Sequence, residues 1–169
     1  MLFQTITDLH RDCEVVRRRR YGVIEMVDGQ LRAIRFRPFP KRISLPEVWW
    51  ESYWIHQRSH GDRCLLFFNQ PLRCPKFLAA PYAVSSGGAR LRTIRGALET
   101  LGEIARIKGV DAMVCEVSSQ RISERLLNRW GWERHLPQST RRHYIKRFYG
   151  HYHYSKWSVA GSQSAIRSY

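Results

Sequence analysis

The chain has 169 residues, enough for one domain with a proper core and too few for two comfortable ones. A hydrophobic fraction of 43% with 12% aromatics excludes wholesale disorder, and no run nears the ~18 apolar residues of a membrane helix, so integral membrane contact is not expected. Lys and Arg number 29 against 14 Asp and Glu, a formal charge of +15 that favours polyanionic partners: nucleic acid, a phospholipid surface or a phosphate-rich cofactor.

Lys41, Lys76, Lys108, Lys146 and Lys156 are the lysines, and arginine supplies the remaining cations. Arginine forks match phosphate oxygens two at a time. The competing reading is a GC-rich genome that places Arg wherever a surface cation will serve. Asp8, His10, Arg11 and Asp12 stand where a signal peptide would be apolar. Cys13, Cys64, Cys74 and Cys115 are scattered with no CxxC pair, so neither a zinc knuckle nor a disulfide framework is indicated. Both observations lead to the expectation of a cytoplasmic protein with reduced thiols.

Residues 1–20 end in four consecutive arginines, whose mutual repulsion predicts a solvated basic arm. Two β-rich segments, 21–27 and 30–36, flank Asp28-Gly29, a strong hairpin signal because both turn positions need positive φ. Pro38 and Pro40 end the second arm. Residues 44–47 form a capping box with Pro46 in the first turn. The helix expected after it carries Val48, Trp49, Ser52, Tyr53 and His56 at helical spacing and closes at Gly61. The group Trp49, Trp50, Tyr53 and Trp54 suits either a core or a groove for an acyl chain or a base. His56 and His60 lie four apart, but no third ligand completes a metal site.

Residues 64–68 read as a buried strand. Residues 77–84 read as another, in which Pro81 predicts an edge or a bulge; 85–88 is a loop. Ala97, Leu98, Leu101, Ile104, Ala105 and Lys108 then fall at helical intervals, with Gly109 at the C-cap. Residues 110–117 form a short apolar run, a central strand. Ser118 and Ser119 offer capping oxygens to a second helix with Ile122, Leu126, Leu127 and Trp130 on one face. Gly131 ends it, residues 143–148 form a final strand, and 151–169 read as a flexible tail. Cys115 reads as a small core residue.

The stretch 97–132, in particular its steps ARIKGVDAMVCEV and LLNRWGWE, resembles the second half of the GNAT family of N-acetyltransferases. That family shows a helix ending in Gly, a strand, then a helix ending in a Gly-aromatic pair, here Gly131-Trp132. The resemblance covers roughly a third of the chain. It implies an α/β fold with a mixed central sheet flanked by helices, spanning 21–150 as one domain. It also implies acyl transfer from acetyl-CoA or another acyl-CoA to an amine acceptor that the sequence does not identify.

The family holds the CoA pyrophosphate with a glycine-rich loop at a helix N-terminus, where backbone N–H groups face the phosphates. Those places fall here on residues 89–94, where Arg92 and Ile94 replace the expected glycines. The resemblance then leaves Arg90, Arg92, Thr93, Arg95 and Gly96 as cofactor contacts, the arginines acting through their side-chain forks. On the second helix the family's Asn, Ala and Tyr positions fall on Gln120, Ser123 and Leu127. Gln120 can imitate the Asn, whereas Leu127 cannot protonate a departing thiolate. No general base is assigned; Glu116 qualifies only if it faces a cleft, and otherwise reads as a surface or ion-paired carboxylate. The alternative function is non-enzymatic: a basic module in which residues 17–20, 90–95 and 141–142 contact nucleic acid or another polyanion.

Overall fold

A computed structural model describes residues 3–39, 61–119 and 121–152. The expected helix after residue 47, the tryptophan group at 49–54, His56, His60, Gln120 and the tail from 153 lie outside the described residues.

The chain forms a mixed α/β domain around an eight-stranded sheet. In chain order it runs β1 (Gln4–Ile6), α1 (Cys13–Arg18), β2 (Tyr21–Val27), β3 (Gln30–Arg37), β4 (Arg63–Asn69), β5 (Phe77–Ser85), α2 (Leu91–Lys108), β6 (Ala112–Glu116), α3 (Glu124–Arg129), β7 (Glu133–His135) and β8 (His143–Arg147). The strands lie in the order β1-β3-β2-β4-β5-β6-β8-β7. Of the described pairs, β5 with β6 is parallel and the others are antiparallel. A crossover helix is the usual way to join two parallel neighbours, and α2 makes that connection. Helix, strand, helix and final strand therefore follow one another from 91 to 147 as the resemblance led us to expect.

Several local signals act as anticipated. Asp28 and Gly29 have φ of 51° and 78°, the mirror-image turn that matches strand twist. Gly109 adopts φ 62° and caps α2, donating its N–H to the carbonyls of Ala105 and Arg106. The α2 face carrying Ala97, Leu101, Ile104 and Ala105 is buried against Met26, Phe68 and Met113 of the sheet. Leu127 and Trp132 join the same core.

Residues 4–18 correct the expected solvated arm. β1 pairs with the outer edge of β3, and α1 packs on α2. Ile6, Leu9 and Val16 are buried, and burial of three aliphatic side chains outweighs the charge run that follows them. The arginines tie in as well: Arg17 pairs with Glu14 at 2.5 Å. Lys108 donates from Nζ to the carbonyls of Arg17 (3.3 Å) and Arg19 (2.6 Å) and to Gln70 Oε1 (3.0 Å). At the other end, Tyr152 donates its hydroxyl to Val110 O at 2.7 Å and stacks on Phe148, so residues 151–152, expected in a flexible tail, are tied to the domain.

Burial, assisted by the nearby Arg20 guanidinium, lowers the Lys108 pKa from 10.5 to about 8. Below about pH 8 the ammonium is charged in both folded and unfolded states. Between about 8 and 10.5 the unfolded chain binds the extra proton, so stability rises with pH across that window. Relative to Lys108→Met, the wild type should gain on the order of 1–2 kcal/mol there, allowing for solvent screening; urea melts at pH 7.5 and 10.5 measure it.

Gly22 of β2 is a packing glycine. A Cβ there would lie 2.7 Å from Phe68 Cζ and 3.0 Å from the Arg35 carbonyl oxygen. Phe68 is fully buried and has nowhere to go. Gly22→Ala should therefore cost about 2–3 kcal/mol, read as a lower urea midpoint at unchanged m-value.

Candidate functional site

Strand β5 carries one extra residue opposite β4. Phe67 faces Tyr82 and Asn69 faces Ala79, so Ala80 and Pro81 together oppose Phe68. Pro81 thus sits in a β-bulge, one of the two places expected for it. The bulge shifts the alternation of side chains by one. Before it, Leu78 and Ala80 join the core beneath α2; beyond it, Tyr82 and Val84 pack with Val23, Leu65 and Phe67 in a second cluster.

The sheet opens at the same place. The parallel pairing of β5 with β6 runs from Phe77↔Ala112 to Ala80↔Cys115 and stops. Residues 82–85 of β5 stay paired to β4, and Glu116 of β6 stays paired to His143 of β8. Two neighbouring strands therefore diverge while each keeps its outer partner. Backbone groups of 82–85 that point away from β4 have no ladder partner on β6. In open α/β sheets, ligands bind at the carboxyl ends of parallel strands, and this opening lies at the carboxyl ends of β5 and β6. Cys115, the last β6 residue paired to β5, is buried, and burial pushes its thiol up to about 12, which suits an inert core residue.

Two loops frame the mouth. The segment after β5 is held by Ser86, a buried hydroxyl that donates to Gly61 O and accepts from the Arg63 N–H at 3.2 Å. The segment after β6 is held by Arg142, which donates to the carbonyls of Ser119 (3.0 Å) and Ile122 (2.6 Å). Arg121 joins the two loops, its guanidinium reaching Gly87 O at 3.4 Å and Ala89 O at 3.3 Å. Ser123 caps α3 by accepting from the Leu126 N–H at 3.2 Å.

The residues expected to hold phosphate are divided by the structure. α2 begins at Leu91, so 91–94 form its first turn rather than a loop. Arg90 is the N-cap residue, and its N–H donates to Asp62 Oδ1 at 2.8 Å. Arg92 pairs with Asp62 Oδ2 at 3.5 Å, and Arg95 with Glu99 at 2.8 Å. Thr93 and Gly96 correct the expectation: both are buried against the sheet, where a Cβ on Gly96 would lie 2.7 Å from Met26 Cε. Gly96 is there to let helix approach strand. Gln120 lies outside the described residues.

Asp62 was not anticipated. It is buried, and it places a carboxylate at the N-terminus of α2, where an anion is favoured by the helix dipole. Burial raises its pKa, but this is outweighed by the Thr93 hydroxyl, the Arg90 N–H and the Arg92 guanidinium, which together hold it below 3.8. The helix end thus carries a resident anion, and an incoming phosphate would have to lie beside it, nearer Arg90 and Arg121. An Asp just ahead of a strand carries no sequence signal for such a role.

Glu116 pairs with Arg141 at 3.5 Å, the ion-paired alternative anticipated for it. Leu127 is fully buried in the core. Among the described residues, no three His, Cys, Asp or Glu side chains gather as metal ligands, and no helix is long and apolar enough to cross a membrane. Arg90, Arg121, Arg125, Arg129 and Arg142 have no carboxylate within the 4.0 Å of an ion pair among the described residues.

No known protein family matches the sequence, and no curated protein matches it. Among solved structures, the chain is similar to the crystal structure of a nourseothricin acetyltransferase. Identity is 12% and the TM-score 0.40, over 87% of this chain and 99% of that one. A likeness this loose assigns no activity.

Proposed function

We propose that the opening between β5 and β6 binds an acyl-CoA and that the chain transfers its acyl group to an amine. The observation that supports this most is the divergence of β5 from β6 at the Pro81 bulge, with Arg90 and Arg121 at its mouth. The pantetheine arm of an acyl-CoA is an extended amide chain and can bond to the free strand edge at 82–85 as a further strand would. Its phosphates fall toward Arg90 and Arg121, whose forks suit phosphate oxygens. A backbone N–H beyond the bulge polarises the thioester carbonyl, the neutral amine attacks it directly, and the tetrahedral intermediate collapses to the amide with loss of the CoA thiolate and of the amine's surplus proton to solvent. With Leu127 in the core, no side chain of the described residues is assigned as the acid for that thiolate.

The test is release of free CoA thiol from acetyl-CoA across a panel of primary amines, with mass spectrometry of the products. Amine-dependent thiol release with a matching acetylated product supports acyl transfer. Thiol release that is absent with every amine, from protein shown to bind acetyl-CoA, would leave a binding module in its place.

A second reading draws on α3. Arg125 and Arg129 are exposed one helical turn apart, about 6 Å along the axis, on the side away from buried Leu127. Together they make a small basic patch suited to a phosphodiester backbone. Binding of a short duplex DNA or RNA that weakens steeply with salt, and weakens again in Arg125→Gln/Arg129→Gln, would favour that reading.

A further inference from the structure

The sheet face opposite α2 carries a cavity that acyl-donor binding does not use. Its volume is about 320 Å³, within the range of small-molecule sites. Val23, Leu65 and Phe67 form an apolar floor, and Phe3, Thr5 and Arg35 form the wall. The registers explain the grouping: Thr5 faces Arg35, Val23 faces both Arg35 and Phe67, and all point away from the α2 side.

Two features specify the occupant. The first is charge. Glu25 is buried, and three arginines share its one carboxylate: Arg35 bonds Oε2, Arg63 donates to Oε1 at 2.8 Å, and Arg32 lies 3.9 Å from Oε1. Two carboxylate oxygens cannot saturate three five-donor forks, and Arg63 Nε is buried without a hydrogen bond. Of these three arginines Arg35 lines the cavity, as does Arg37, so the cavity has a basic wall beside an apolar floor. The second is position. Phe67 stacks on Tyr82, ring centroids 4.6 Å apart, and Tyr82 is the first residue beyond the bulge. The cavity floor thus reaches the edge of the β5–β6 opening within one strand spacing, about 5 Å.

We infer that this cavity binds a small molecule with an aromatic or aliphatic body and a carboxylate, the carboxylate held by Arg35 and the body lying on Phe67. Its role as the seat of the amine acceptor rests on the acyl-transfer reading above; its binding of a carboxylate does not. In that role the acceptor is an elongated amino carboxylate, its amine and carboxylate at opposite ends. Its charged end is anchored at Arg35, and because β5 lies two to three strand spacings away, roughly 10–14 Å, its amine sits at the far end of a body of that length.

The experiment uses the full chain and three probes of one shape: 3-phenylpropionate, 3-phenylpropanol and 3-phenylpropylamine. Isothermal titration, with amide shift mapping on the labelled protein, should show 3-phenylpropionate binding at least tenfold tighter than the other two, with shifts centred on 3–5, 23, 35 and 65–67. Thr5→Trp, on an exposed edge strand, fills the cavity and should abolish binding. Arg35→Gln should weaken it at least tenfold while leaving 3-phenylpropanol unchanged, and melting temperatures confirm that both variants fold. Equal binding of the three probes, or unchanged binding in Thr5→Trp, overturns the inference. Acetyl-CoA titrated separately keeps the two claims apart: acetyl-CoA binding without 3-phenylpropionate binding defeats the cavity alone, and the converse defeats the donor site alone.

Discussion

Asp62→Ala should lower the unfolding free energy by about 2–3 kcal/mol at pH 7. The carboxylate is the acceptor for the Arg90 N–H at the start of an 18-residue helix and the counter-ion of Arg92. Losing a helix cap costs about 0.5–2 kcal/mol, and leaving buried polar neighbours unsatisfied adds to it. Asp62→Asn keeps an acceptor oxygen in the same place and should cost about 1 kcal/mol. The pH dependence has a definite sign. Because the folded-state pKa is depressed below 3.8, the stabilisation is present above that value and is lost as pH falls below it. Wild-type and Asp62→Asn stabilities should therefore converge in acid, which denaturant melts from pH 6 down to pH 3 can follow. The same substitution bears on the donor site, since it removes the resident negative charge from the helix end. Acetyl-CoA should bind Asp62→Asn more tightly than wild type, by threefold or more at low salt. Weaker binding would mean that the carboxylate orders the mouth rather than opposing the phosphates.

Arg121→Ala should weaken acetyl-CoA binding at least tenfold. Its guanidinium bridges the loops after β5 and β6, bonding Gly87 O and Ala89 O, and it has no carboxylate among its described neighbours. It is therefore both the cation at the mouth and the tie that sets the mouth's width. Arg121→Lys separates the two roles: it restores the point charge but not the planar fork, so recovery to near wild-type affinity would assign the effect to charge alone. Arg18→Ala, an exposed cation on α1, is the control and should leave binding unchanged. A tenfold loss in Arg18→Ala as well would reduce the effect to net charge.

Much of the fold was legible because it is written in local signals. Asp28-Gly29, Gly109 and Gly131 mark chain reversals through their need for positive φ, and each adopts it. Pro81 announced an edge or a bulge, because a central strand cannot use a residue without an N–H at an ordinary position, and the structure makes it a bulge. The spacing of Leu101, Ile104 and Ala105 fixed which side of α2 meets the sheet. What escaped depends on distant partners. Residues 4–18 read as an arm because four arginines dominate the segment, while the burial of Ile6, Leu9 and Val16 is decided by pairing with β3 and packing on α2, both further along the chain. The three-residue strands β1 and β7 are too short to show a period.

The candidate site was legible only in outline. The resemblance pointed to the start of α2, and Arg90 stands at the mouth there, but Thr93 and Gly96 face the sheet because the helix begins earlier than its apolar spacing suggested. Arg121 was passed over beside Gln120, although a cation in the loop after a central strand is a signal that could have found it. Asp62 could not be found from sequence, because its role arises from a contact spanning 28 residues.

Amide shift mapping of acetyl-CoA on the isotopically labelled protein, at physiological salt, tests the central claim most directly. An acyl donor seated between β5 and β6 should move the amides of 82–90 and 116–121 and leave α1 and β7 still. Shifts confined to exposed arginines outside that opening, or no shifts at saturating acetyl-CoA, would contradict it.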